Sequence, residues 1–136
     1  MDIRVSHCFI AVDDHDKALE FYRDALGFEV RTDVSFEGMR WVTVSPPSQP
    51  ELEITIETVD CYPDASAEDK QRLSELLAKG LLRGLNFVTD DVDGTFEKIR
   101  SSGAEVLQEP IDQAYGVRDC AFRDPAGNMV RFNQPS

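Results

Sequence analysis

The sequence predicts an α+β fold in which two tandem βαβββ modules form curved mixed sheets around a central cavity. Two observations predict it. The chain repeats itself, and each copy reads as a strand, a helix and three further strands. The repeat is the stronger observation, because it fixes where each copy begins and ends.

Residues 7–30, HCFIAVDDHDKALEFYRDALGFEV, align with residues 84–106, GLNFVTDDVDGTFEKIRSSGAEV, at an offset of 77. One residue is dropped near the end of the helix, after which the offset is 78. The later matches place Gly38-Met39-Arg40 on Gly116-Val117-Arg118, and Leu52-Glu53-Ile54 on Val130-Arg131-Phe132. Agreement over two separated blocks indicates a duplicated unit.

Local patterns predict the elements of each copy. Residues 8–12 and 84–89 are short strand-like runs, and each ends at an acidic cluster that suits the start of a helix. Apolar residues at helical spacing predict helices at about 16–26 and from about 92, which stop at Gly27 and Gly103. Strands are predicted at 28–34, 39–45 and 51–57, then at 104–108, 117–123 and 129–133.

The predicted organisation is a single domain over 1–136. It comprises module one (1–57), a helical insertion (58–83) and module two (84–136). Ser66 and Asp69 resemble a capping box at the start of the inserted helix, whose leucines form one apolar stripe. Such a helix is expected to cover a core or a subunit interface.

Composition narrows the function. The net charge is −12, and a chain this acidic repels phosphate backbones and anionic lipid, so neither nucleic acid nor membrane is expected as a partner. Three cysteines with no CxxC spacing favour a reduced, cytoplasmic location. There is no glycine-rich phosphate loop and no defensible Ser-His-Asp pattern.

Alternation along the strands predicts one apolar face, suited to packing under the helices, and one mixed face. The mixed faces could simply meet solvent, or they could line a small-molecule cavity. The direction of Trp41 is left open by the pattern around it. The predicted ligand-binding residues are His7, Phe9, Glu53, Thr55, Glu57, Asn86, Arg131 and Asn133.

These motifs resemble the vicinal oxygen chelate superfamily, which includes glyoxalase I, the bleomycin-resistance proteins and the extradiol dioxygenases. The resemblance rests on His7 to Asp14, on ALEFYRDALGFEV, on its second copy TDDVDGTFEKIRSSGAEV, and on the FRDPAGN turn with its following strand. It implies a glyoxalase/bleomycin-resistance-like fold and makes a homodimer plausible. It does not decide the reaction, since one fold serves many functions.

The resemblance also implies four metal-ligand positions, which fall here on His7, Glu53, Gly84 and Arg131. His7 and Glu53 keep the family's ligand types, whereas Gly84 has no side chain and Arg131 brings a fixed positive charge. We therefore expect no cofactor and no tightly bound metal, with His7 and Glu53 as the residual candidates. Arg131 is expected to pair with Glu53 instead.

Three functions follow. The first is a metal-free small-molecule-binding protein, similar to the bleomycin-resistance members. The second is a metal-dependent lyase, isomerase or dioxygenase that acts on a substrate with vicinal oxygens. In it, His7 and Glu53 need further donors from Glu57, Asn86 or Asn133, from the ligand, or from a partner subunit. The third is metal-free acid–base chemistry by His7 or Glu53, with Arg131 facing an oxyanion.

Overall fold

A computed structural model describes residues 1–136, and its elements repeat in the predicted order. Module one contains strands β1 (His7–Ala11), β2 (Glu29–Phe36), β3 (Met39–Ser45) and β4 (Glu53–Glu57). Module two contains β5 (Asn86–Val88), β6 (Glu105–Asp112), β7 (Val117–Arg123) and β8 (Met129–Pro135). The predicted two-module α+β fold is confirmed.

The helices begin where acidic caps were predicted. In module one α1 (His15–Leu19) continues directly as a π-helical segment, Glu20–Ala25, and in module two the helix is α3 (Val92–Ser101). The side chains of Asp14 and Asp91 cap these helices by accepting from the backbone N–H groups of Lys17 and Gly94. These aspartates are therefore structural, as the sequence indicates, and the capping bond lowers the pKa of Asp14.

The insertion adds a short 3-10 turn, Val59–Cys61, and helix α2 (Ala67–Ala78). Ser66 caps α2 by accepting from the N–H of Asp69, as the capping pattern predicts. Leu77 is buried in the core, whereas Leu76 stays exposed. The helix is thus packed onto the domain. No helix of the chain is long and apolar enough to cross a bilayer.

The two sheets have matching strand orders, β1-β4-β3-β2 and β5-β8-β7-β6. In each, the first and fourth strands of the module run parallel and the other neighbours run antiparallel. One face of each sheet packs against the helices, and its apolar side chains belong to a core shared by both modules. The opposite face, here called the open face, carries the mixed residues.

Buried polar contacts join the modules as well as the shared core. The hydroxyl of Tyr22 in module one donates to the carboxylate of Asp124 in module two. The side-chain amide of Asn128, in the turn after β7, donates to the backbone carbonyl of Ala11 at 2.7 Å. The turn of module two therefore supports the end of β1.

Candidate functional site

The open face of module one contains five of the predicted binding residues. Strand register places His7 beside Glu53, Phe9 beside Thr55, and Ala11 beside Glu57. Phe9 is 63% exposed, whereas Thr55 is 5% exposed and so offers little surface to a ligand.

Trp41, whose direction the sequence left open, lies on this same face. Trp41 lies two residues before Thr43 on β3, and Thr43 is the register partner of Thr55, so all three side chains share one face. Trp41 itself pairs with Val34 on β2 and is 44% exposed. The face therefore combines exposed aromatic surface with a few polar groups, which is typical of small-molecule sites.

Glu53 makes polar contacts with two neighbouring side chains of module one. Its carboxylate lies 3.3 Å from Nε2 of His7 and accepts a 2.6 Å hydrogen bond from the hydroxyl of Thr43. Nδ1 of His7 lies 2.9 Å from the hydroxyl of Ser6. The two residues with metal-ligand character are thus adjacent, and each has a neighbouring hydroxyl that orients it.

Arg131 does not pair with Glu53, so that prediction is wrong. Its Nη1 lies 3.1 Å from the carboxylate of Asp119 and donates to the side-chain oxygen of Gln108 at 3.1 Å. Asp119 lies on β7, directly beside the strand that carries Arg131, and this neighbour satisfies the guanidinium within its own module. The sequence signal for Asp119 was an acidic residue next to the apolar run Cys120-Ala121-Phe122 of a predicted strand.

Asp119 is fully buried and is the residue that the sequence analysis missed. Burial raises the pKa of its carboxyl, but hydrogen bonds from Gln113 and Gln108 and the charge of Arg131 outweigh burial and hold the pKa below its ordinary value. Tyr115 also approaches it, at 3.4 Å. Module two therefore contains an ionised carboxylate held on several sides.

Strand register also corrects the alignment of the two copies. Val12 and Thr89 each precede the capping aspartate of a helix by two residues, so they are equivalent. The N–H of Val12 donates to the carbonyl of Glu57, and the N–H of Thr89 donates to the carbonyl of Asn133. Arg131 therefore stands two residues beyond the place of Glu53, which Met129 occupies. The offset arises because the loop before β4 is two residues longer than the turn before β8.

The family metal does not fit the donors that this chain presents. A Cβ at position 84 would collide with the carbonyl oxygen of Met129, so the backbone there leaves no room for a ligand side chain. Neither Met129 nor Arg131 offers a carboxylate at the corresponding place. His7 and Glu53 remain as two donors, and no three His, Cys, Asp or Glu side chains of the chain gather into a metal-binding set.

Three cavities adjoin the predicted residues. One of about 310 Å³ lies between β1 and α2 and is lined by Phe9, Glu57 and Leu77. A second, of about 380 Å³, is lined by Trp41, Thr55 and Glu57. A third, of about 540 Å³, lies between the modules and includes Asn86. The other predicted residues, His7, Glu53, Arg131 and Asn133, lie outside these cavities.

Comparison with known proteins identifies the class. The model of the Glyoxalase/Bleomycin resistance protein/Dioxygenase superfamily matches residues 4–132, so the chain belongs to that superfamily. The uncharacterised protein YurT of Bacillus subtilis (strain 168) is 32% identical over 126 residues, which are 92% of this chain and 94% of YurT. The recognition made from sequence motifs is thereby confirmed.

Two solved structures are similar over almost the whole chain. UcmS2 is 34% identical with a TM-score of 0.89, and 98% of each chain is covered. TnmS3, an antibiotic binding protein from Streptomyces sp. CB03234, is 28% identical with a TM-score of 0.76, covering 99% of this chain and 98% of TnmS3. An antibiotic-binding protein thus shares the architecture found here.

Proposed function

We propose that the protein binds a small, largely apolar organic molecule on the open faces of its sheets and does not transform it. The observation that carries the proposal is the exposed aromatic surface of Phe9 and Trp41 beside a few fixed polar groups. The similarity to an antibiotic-binding protein supports an aromatic antibiotic or metabolite as the ligand. His7, Glu57, Asn86 and Asn133 are proposed as polar contacts.

We further propose that the protein functions as a cytoplasmic homodimer in which the open face of one copy covers that of another. Exposed apolar residues occur on both modules, with Phe9 at 63% and Val88 at 76% exposed. A ligand would then lie between two faces and lose most of its water contact. Light scattering coupled to size exclusion should give twice the chain mass. Val88→Lys should shift the population toward monomer.

A thermal-shift and calorimetric screen tests the binding function. The panel should contain aromatic antibiotics and aromatic metabolites, with the concentration of each compound well above its dissociation constant. A ligand at one hundred times its dissociation constant stabilises the fold by about 2.7 kcal/mol, which raises the melting temperature measurably. Failure of a broad panel to shift the transition would contradict the proposal, and turnover of a bound compound would contradict its non-catalytic part.

The alternative is a metal-dependent lyase, isomerase or dioxygenase, and the adjacent His7 and Glu53 are the observation that favours it. That activity would require further donors from the ligand or from a second copy. Adding zinc, nickel, iron or manganese to the protein with a bound compound should then start turnover, and Glu53→Gln should abolish it. Under the binding function, the same metals should leave the affinity for the compound unchanged, and no product should form.

A further inference from the structure

Only part of the guanidinium of Arg131 donates hydrogen bonds to oxygen. Both hydrogens of Nη1 are taken, by Gln108 and by Asp119. Nη2 meets only the sulfur of Met129, at 3.7 Å, and Nε makes no hydrogen bond. The edge formed by Nε and Nη2 carries two parallel N–H donors without an oxygen acceptor, and a carboxylate or similar group can bridge that pair of donors.

The used half of the guanidinium is held firmly. The carboxylate of Asp119 is fully buried, and one of its oxygens accepts from the amides of both Gln108 and Gln113. These bonds prevent Asp119 from turning to reach the free edge of Arg131. Because a planar guanidinium is rigid, fixing one side of it also fixes the direction of the other.

The free edge lies on the open face of module two. The side chain of Arg131 is 23% exposed, and its register partner on β5 is Asn86. The side chains of Asn86 and Asn133 make no hydrogen bonds of their own, and Val88 beside them is 76% exposed. A fixed cationic donor thus stands among uncommitted amides next to apolar surface.

We propose that the Nε–Nη2 edge of Arg131 binds an anionic oxygen group, of the carboxylate or sulfonate class, on an otherwise apolar ligand. This inference rests on the proposed binding function and specifies the chemistry of its ligand. The chain carries a net charge of −12 and repels anions at long range. At contact distance the guanidinium is nearer to the ligand than the carboxylate of Asp119 behind it, so attraction dominates there.

Two fluorescent probes with the same ring system test the proposal. Anilinonaphthalene sulfonate carries the anionic group, and phenyl naphthylamine lacks it. The quantity to measure is the ratio of their affinities for the folded protein. Arg131→Gln should lower the ratio of sulfonate-probe affinity to neutral-probe affinity about tenfold or more. It should weaken binding of the sulfonate probe alone, because it removes a charge-assisted pair of hydrogen bonds. Arg131→Lys keeps the charge but not the fork, so its ratio should be intermediate.

Arg118→Gln is the matched control, because that arginine is also in module two but is committed to Asp93 and Asp112. Its ratio should equal that of the wild type. An unchanged ratio in both Arg131 variants would overturn the inference while the binding function stands. If neither probe binds the folded wild type, the binding function falls and the inference with it. Should Arg131→Gln fail to fold by circular dichroism, the lysine variant decides.

Discussion

The phenol of Tyr22 donates a 2.7 Å hydrogen bond to the carboxylate of Asp124, although the two residues belong to different modules. Both side chains are buried, and Asp124 also accepts from the backbone N–H groups of the turn that follows it. Burial, together with the nearby carboxylate, raises the pKa of Tyr22 well above its ordinary value. The tyrosine therefore stays protonated and keeps donating across the module boundary.

Tyr22→Phe should lower the free energy of unfolding by about 1.5–3 kcal/mol, because it leaves a buried charged acceptor without one donor. Urea denaturation followed by circular dichroism measures this loss. Tyr115→Phe is the control, since that ring is 73% exposed and its hydroxyl is 3.4 Å from its partner. Equal losses in the two variants would show that the Tyr22 hydroxyl is not a specific link.

Asp119→Asn should lower the free energy of unfolding by about 3 kcal/mol at neutral pH, because it leaves the charge of Arg131 without its buried partner. The pKa of Asp119 is lower in the folded chain than its unfolded value of about 3.9. The contribution of ionised Asp119 to the free energy of unfolding is therefore fully present above the unfolded pKa. It is lost as the pH falls through the folded pKa.

The gap in stability between wild type and Asp119→Asn should accordingly narrow on acidification below about pH 4. Guanidinium denaturation at a series of pH values measures it. Asp112→Asn serves as the control, since that side chain is 82% exposed and its contact with Arg118 is long, at 3.5 Å. A gap that stays constant down to pH 2 would contradict the assigned ionisation of Asp119.

Gly84→Ala should destabilise the fold by about 3 kcal/mol or more, because the new Cβ meets the backbone of Met129 and the segment before β5 must move away from β8. Thermal unfolding measures the loss. Gly116→Ala meets open space and should cost only about 1–2 kcal/mol, from its positive φ of 93°. If Gly84→Ala proved neutral, position 84 could accommodate a ligand side chain after all.

Protein purified without chelators should contain well under one zinc, nickel, iron or manganese ion per chain. Two adjacent donors, His7 and Glu53, make a weak site for a divalent ion. Elemental analysis by mass spectrometry measures the content, and His7→Ala provides the comparison. Near-stoichiometric metal in the wild type that disappears in His7→Ala would contradict the expectation and favour the metal-dependent alternative.

The sequence was sufficient for features that depend on local periodicity. Alternation identified the helix-facing residues, such as Ile54 and Ile56, which are 2% and 1% exposed, and the capping aspartates fixed where the helices begin. Features that depend on two distant segments were not accessible. The partner of Arg131 is set by the antiparallel register of β7 against β8, and a difference in loop length moved Met129 into the place assigned to Arg131.

The shared core has a consequence for a module on its own. Its buried residues come from both modules, and Asn128 of one copy supports the end of the first strand of the other. A single unduplicated module would expose that core face and lack the supporting amide. An isolated module should therefore be stable only when two copies pair through that face, as the two modules of this chain do within one molecule.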